Sequence, residues 1–131
     1  MKKFLTLLLK SLRATGVVAL LSMPALAAAQ QYPFKPIRLV LGVPPGTTTD
    51  LAARLMSTHM QARLGQPIIV ESRPGANLTI AANFAAKADA DGYTILMATP
   101  GQAVMNQFMY GRMPYDAATA FVALAHVATV P

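Results

Sequence analysis

One continuous stretch decides the fold: IRLVLGVPPGTTTDLAARLMSTHMQARLG, residues 37–65. It opens with an apolar run that is typical of a buried β-strand, and it then passes through a Pro-Pro-Gly turn. The residues that follow predict a helix over 48–64, which Gly65 ends with a left-handed stop. The stretch therefore indicates a strand, a tight turn and a helix, with the turn VPPGTTTD at residues 43–50.

The rest of the chain continues this alternation. Strand-like apolar runs begin about one βαβ unit apart, and their Ile, Leu and Val content without clean alternation indicates parallel strands that are covered on both faces. An alanine-rich segment between the second and third runs predicts a helix that Asn77 can cap. We therefore predict an α/β fold in which a parallel sheet carries flanking helices. The predicted strands are 37–43, 68–71 and 93–98, the later helices are 78–88 and 102–110, and a last apolar run covers 121–130.

The first helix shows an apolar sector that should face the sheet. Its predicted apolar members are Leu51, Ala52, Leu55, Met56, Met60 and Leu64, and its predicted outward members are Arg54, Ser57, Thr58 and Gln61.

The turn at residues 43–50 can hold a small anion. Gly46 permits an unusual backbone angle, and the backbone N–H groups and hydroxyls of Thr47, Thr48 and Thr49 can donate hydrogen bonds to it. Asp50 only accepts, so we expect it to take loop N–H groups or a bridging water and to fix the shape of the loop. Thr47 and Asp50 also fit a capping box, which needs no ligand, and the local pattern alone favours that interpretation.

A second turn joins this candidate site. Because connections that leave the carboxyl ends of parallel strands share one edge of a sheet, the turn at Thr99-Pro100-Gly101-Gln102 should lie along the edge that carries Pro45 and Gly46. Two small, hydroxyl-bearing turns side by side would make a carboxylate pocket.

The first 29 residues have the features of a signal peptide. A basic start, apolar segments and the small residues Ala27-Ala28-Ala29 predict export to the periplasm with cleavage after Ala29 and no stable membrane insertion afterwards. Four of the eleven Lys and Arg residues lie in this leader, so seven bases face five acids in the remainder. That remainder has no basic run, which argues against nucleic acid as a partner.

The sequence gives little support for catalysis or metal binding. The chain has no cysteine, and the spacing of its two histidines, His59 and His126, matches no metal motif. The acids Glu71, Asp89, Asp91 and Asp116 sit beside turns and form no acid–base pair. We expect no catalytic residue, no metal site, no cofactor and no enzyme activity.

Four blocks in order carry a family resemblance: YPFKPIRLVLGVPPGTTTD, RLGQPIIVESRPGA, KADADGYTILMATPG and MPYDAATAFVALAHVATVP. Together they resemble the periplasmic substrate-binding receptors of tripartite tricarboxylate transporters, the Bug or TctC-like family. The resemblance implies a two-lobed periplasmic binding protein of type II, which closes on a small carboxylate and delivers it to membrane permease subunits. It also implies that the ligand carboxylate is held by the two turns already singled out: Pro45, Gly46, Thr47, Thr48, Thr49 and Asp50, with Thr99, Pro100, Gly101 and Gln102.

The chain departs from the family pattern in two ways. It has Thr47 and Asn77-Leu78 where family members usually have glycine. Members also continue through a second lobe, so residues 30–131 correspond to an incomplete first lobe in which the last apolar run is a strand leading to the hinge. A sensory or interaction protein built on the same lobe, and a truncated remnant that binds nothing, remain alternatives.

Overall fold

The computed structural model describes residues 31–129 of the 131-residue chain. The predicted signal peptide, residues 1–29, lies outside the described residues, and its cleavage after Ala29 stays a prediction.

Three parallel strands form the sheet: β1 (Ile37–Leu41), β2 (Ile68–Ser72) and β3 (Thr94–Met97). β1 is the central strand, since its residues pair with β2 on one side and with β3 on the other, in the order β2–β1–β3. The central position explains why Leu39, Val40 and Leu41 are all buried. The predicted α/β class and parallel sheet are confirmed.

The helices cover the sheet. α1 (Thr48–Leu64) connects β1 to β2, and α2 (Thr79–Ala86) connects β2 to β3 after a 3₁₀ turn at Ala76–Leu78. A π-helical turn at Gly101–Met105 follows β3 and continues as the short helix α3 (Asn106–Met109). The main hydrophobic core combines Ala53 of α1 with alternate side chains of β1, the first residue of β2 and the residue that directly precedes β3: Ile37, Leu39, Leu41, Ile68 and Tyr93, with Met60 and Leu64 packed against them. Val40 points to the opposite face, where α2 contacts β1 and β3.

α1 turns a different side to the sheet from the predicted one. Leu51 and Leu55 are 60% and 64% exposed, whereas Ala53 and Ser57 are buried. The prediction was therefore wrong for Leu51, Ala52, Leu55 and Ser57, although Met60 and Leu64 do pack against the core. Small residues at positions 53 and 57 let the helix approach the strands closely, and the Ser57 hydroxyl is satisfied because it donates to Ala53 O at 2.7 Å.

Two predictions in the second half were also wrong. Asn77 does not cap α2: the N-cap is Leu78, which makes no side-chain capping bond, because the amide of Asn77 is bonded to Asn106 instead. The last apolar run is not a strand in the described part, residues 121–129, where it has no regular secondary structure and Val122 is 87% exposed. A strand needs a neighbour for its backbone hydrogen bonds, and the sheet of the described residues holds only β1, β2 and β3.

Between residues 31 and 129, no helix has the length and apolar content required to cross a membrane.

Candidate ligand-binding site

The loops that follow β1 and β3 leave the same edge of the sheet as neighbours. This follows from the direct parallel pairing of the two strands, in which Leu41 lies opposite Met97. The chain leaves β1 towards β2 on one side and returns to β3 on the other, so the edge between β1 and β3 is a topological switch point. The juxtaposition that the sequence predicted for these two loops is confirmed.

The loop after β1 is shaped by its own hydrogen bonds. Gly46 has a φ of +85°, a left-handed angle that favours glycine. Thr47 is the N-cap of α1: its hydroxyl oxygen accepts from Asp50 N at 3.3 Å and its hydroxyl donates to Pro44 O at 3.0 Å. Only the Thr47 half of the expected capping box is therefore formed, because the Asp50 carboxylate accepts from Gly46 N and not from Thr47 N. The Thr47 hydroxyl is committed to the loop.

Asp50 fixes the loop, as its chemistry predicted. Its Oδ2 accepts from Gly46 N at 2.9 Å and from Arg54 Nε at 3.0 Å, and the residue is only 2% exposed. The Arg54 hydrogen bond, with that of Gly46 N–H, lowers the pKa of Asp50 below its ordinary value. The carboxylate is thus ionised but paired with a guanidinium, so the first turn of α1 carries no uncompensated negative charge. Asp50 Oδ1 is buried and accepts no hydrogen bond from the described residues.

The loop after β3 is organised by Gln102. Its amide oxygen accepts from Thr99 N at 3.0 Å, and its amide nitrogen donates to Leu78 O at 3.0 Å. Because Gln102 is 1% exposed and both ends of its amide are engaged, it shapes the loop instead of presenting a group to solvent. The Tyr115 hydroxyl adds a further tie by donating to Gln102 O at 2.9 Å.

A third loop, which follows β2, meets the other two. Ala76, Asn77 and Leu78 have φ values of 47°, 50° and 68°, a run of left-handed residues without a glycine. Reciprocal bonds hold this run: Asn77 Nδ2 donates to Asn106 Oδ1 at 2.8 Å, and Asn106 Nδ2 donates to Asn77 O at 2.9 Å. Leu78 also lies against Gly42, where a Cβ on the glycine would stand 2.9 Å from Leu78 Cβ.

The ten residues that the sequence nominated fall into two groups. Asp50 and Gln102 are buried organisers of their loops. The other eight are exposed or half-buried at the shared edge: Pro45, Gly46, Thr47, Thr48, Thr49, Thr99, Pro100 and Gly101. Of these, Thr48 and Thr49 open α1 and Gly101 opens the π-helical turn, so their N–H groups have no carbonyl one turn earlier to bond.

Sequence reasoning missed Arg54, which pairs with Asp50. It also missed the residues that join the loops: Gly42, Asn77, Leu78 and Asn106. Arg54 had a local signal, because it stands four residues after Asp50 on one helix face. The pairing of Asn77 with Asn106 spans 29 positions, and no local pattern announces it.

A concavity lies away from these loops. It measures about 720 Å³ and runs along α2 to the starts of the strands, between Arg38, Arg73, Phe84 and Lys35. Its cations are largely engaged, since Lys35 pairs with Asp91 at 2.9 Å, while Arg38 and Arg73 share Glu71. An anion there would compete with carboxylates already in place, so we assign the candidate site to the loops. Among residues 31–129, no group of three His, Cys, Asp or Glu side chains could hold a metal ion.

Comparison with known families decides the classification. Residues 52–131, well over half of the chain, match the model of the tripartite tricarboxylate transporter family receptor, TctC. The chain belongs to the TctC family. The match confirms the family resemblance that the four sequence blocks indicated.

Individual relatives agree with the TctC assignment. A UPF0065 protein of Bordetella bronchiseptica is 43% identical over 95% of this chain and 37% of its own length. A solved structure described as a periplasmic transporter has a TM-score of 0.63 and 41% identity, over 66% of this chain and 29% of its own. Rpa4515 of R. palustris, solved with adipate, has a TM-score of 0.64 and 39% identity, over 67% of this chain and 29% of its own. The α/β fold is therefore that of periplasmic binding proteins, and this TctC-family chain spans about a third of the length of its relatives.

Proposed function

We propose that the chain is the part of a periplasmic solute-binding receptor that holds one carboxylate of a small organic acid at the shared edge of β1 and β3. The observation that carries the proposal is that two helical N-termini, at Thr48 and Gly101, follow the neighbouring parallel strands β1 and β3 at a switch point of the sheet. Backbone N–H groups at a helix start, together with the helix dipole, favour a bound anion.

Each loop residue has a distinct part in this proposal. Gly46 gives the loop its left-handed turn, which Pro45 precedes, and the N–H groups of Thr48, Thr49 and Gly101 donate to the carboxylate. The hydroxyls of Thr48 and Thr49 are further donors. Thr47, Asp50, Thr99, Pro100 and Gln102 keep the two loops in shape.

Charge balance supports the assignment of an anion beside Asp50. Arg54 Nε lies 3.0 Å from Asp50 Oδ2, so the carboxylate is neutralised within the protein. Asp50 Oδ1 is buried and accepts from no described residue. A water molecule that donates one hydrogen to this oxygen and the other to the ligand would join Asp50 to the acid without bringing two carboxylates together.

The family supports the role of the whole protein. Receptors of this class bind a solute and pass it on, so we propose delivery of the acid to membrane permease subunits, without chemical change of the ligand, after export of the chain through the leader at residues 1–29. The R. palustris relative was solved with adipate, which makes a small dicarboxylate the first ligand to test. In the proposed full receptor, a second lobe closes over the acid and buries its remaining surface.

Two glycines give a matched test of the site. Gly46 and Gly65 both have positive φ, +85° and +67°, and neither has a heavy atom within 4 Å of an added Cβ. Gly46→Val and Gly65→Val therefore impose the same kind of backbone strain, one at the site and one at the end of α1. We expect Gly65→Val to retain adipate binding in calorimetry, while Gly46→Val weakens it at least about ten-fold, or about 1.4 kcal/mol. Equal affinities of the two variants for adipate would show that the β1 loop is not part of the binding site.

A further inference from the structure

Leu78 stands where the three strand-end loops meet. On one side it lies against Gly42 at the exit of β1, where an added Cβ would come within 2.9 Å of Leu78 Cβ and 3.2 Å of Leu78 Cα. On the other side its carbonyl accepts from Gln102 Nε2, in the loop after β3, at 3.0 Å. The side chain is half-buried, so part of it faces solvent at this edge.

The backbone of Leu78 is held in an unfavourable conformation. A φ of 68° is rarely adopted by a branched apolar residue, because in the left-handed region the Cβ of an L-residue comes too close to the following carbonyl oxygen. Glycine would avoid this strain. Bonds from the buried Gln102 and between Asn77 and Asn106 maintain the conformation, and strain of this kind concentrates at functional sites.

We propose that Leu78 is a specificity-determining residue, which forms an apolar wall beside the bound carboxylate and selects acids whose neighbouring carbon carries only hydrogen. The proposal rests on the carboxylate site proposed above and adds a ligand class to it. The N–H groups of the β1 and β3 loops hold the carboxylate, and the carbon next to it meets the Leu78 side chain. A hydroxyl on that carbon would lose water and gain no hydrogen-bond partner from leucine, which disfavours hydroxy acids.

Succinate and tartrate form a suitable pair of probes, because tartrate carries a hydroxyl on the carbon next to each of its carboxylates, so that whichever carboxylate is bound, a hydroxyl meets Leu78. Affinities are measured by NMR titration of the chain itself, which detects weak binding. We expect succinate to bind at least about ten-fold more tightly than tartrate, within the roughly hundred-fold limit by which an apolar pocket discriminates against one hydroxyl. Leu78→Gly should reduce the ratio to about two-fold or less, and Leu78→Asn, which tolerates the left-handed angle, should reduce it as well.

Ala76→Gly is the matched control, since Ala76 is also left-handed, with a φ of 47°, and the change leaves Leu78 in place. It should keep the succinate preference of the parent chain. A ratio that Leu78→Gly leaves unchanged would overturn the proposal, as would a ratio that Ala76→Gly alters equally. Binding of both acids only after Leu78→Gly would show that leucine blocks the site and would also overturn it. If no variant bound either acid, the carboxylate site itself would be contradicted, and the Leu78 proposal with it.

Discussion

Gly42→Ala tests the contact between the three loops most sharply. A Cβ at this position would lie 2.9 Å from Leu78 Cβ, 2.9 Å from Gln102 Nε2 and 3.2 Å from Leu78 Cα. The Gln102 amide is the end of a flexible side chain, but Leu78 Cα is backbone and cannot move alone. Overpacking of this kind costs about 1–3 kcal/mol, so we expect Gly42→Ala to lower the free energy of unfolding by that amount.

The assay is urea unfolding followed by circular dichroism, with thermal unfolding as a second measurement. For a domain of this size, the expected loss corresponds to a fall in Tm of about 5–20 °C. Gly111→Ala is the control, because an added Cβ there meets nothing within 4 Å and the glycine has no positive φ. Gly111→Ala should be neutral or slightly stabilising.

A double variant separates the loop contact from other effects of alanine. Combining Gly42→Ala with Leu78→Gly removes the Leu78 Cβ with which the new methyl group would clash. The double variant should therefore be about 1 kcal/mol more stable than the sum of the two single changes predicts. Gly42→Ala with the stability of Gly111→Ala, or strict additivity in the double variant, would refute the proposed close contact.

Three further changes probe the supports of the loops. Thr47→Ala removes the N-cap of α1 and should cost about 0.5–2 kcal/mol in urea unfolding, whereas Thr47→Ser should retain most of the stability. Arg54→Met removes the main cause of the lowered Asp50 pKa. A carboxyl whose pKa is lowered in the folded state stabilises the fold above its ordinary pKa, and this stabilisation is lost as the pH falls through the pKa of the folded state. The stability deficit of Arg54→Met should therefore be largest near neutral pH and should shrink below about pH 4. A deficit that is constant with pH would contradict this. Tyr115→Phe removes the hydrogen bond to Gln102 O and should cost about 0.5–1.5 kcal/mol in the same unfolding assay, and an unchanged stability would show that the bond does not hold the β3 loop.

The parallel strands and the shared edge of the loops after β1 and β3 could be predicted because they depend on strong local signals. The apolar run at the start of β1, the Pro-Pro-Gly turn and Gly65 each report a local backbone requirement. Once the strands are parallel, geometry places the loops after β1 and β3 on one edge. Asp50 was also predictable as a loop organiser, because a carboxylate can only accept hydrogen bonds.

The side of α1 that faces the sheet could not be predicted from apolar content. Leu51 and Leu55 point outwards because Asp50, bonded to Gly46, must turn inwards and so fixes the rotation of the helix. Small Ala53 and Ser57 then suit close packing better than leucine would. A local apolar count gives too little weight to one buried, hydrogen-bonded carboxylate and to the close packing that small residues allow.

The hydrogen bonds between the loops could not be predicted from the sequence for a different reason. The Asn77 and Asn106 side chains meet only after the chain has passed through α2, β3 and the π-helical turn. Asn77 was predicted to cap a helix because asparagine is a common N-cap residue. In the structure its side chain bonds to Asn106 instead, so a tertiary contact overrides the local preference. The left-handed conformation of Leu78 is likewise imposed by distant partners, against the preference of the residue itself.

The central claim is that a carboxylate binds between the loops after β1 and β3, and backbone NMR of the isotopically labelled chain during an adipate titration tests it most directly. We predict that the largest amide shifts occur at Gly46, Thr48, Thr49 and Gly101, and that the Gly65→Val variant shows the same pattern. Shifts centred instead on the concavity around Arg38 and Arg73, or the absence of any saturable shift, would contradict the assignment.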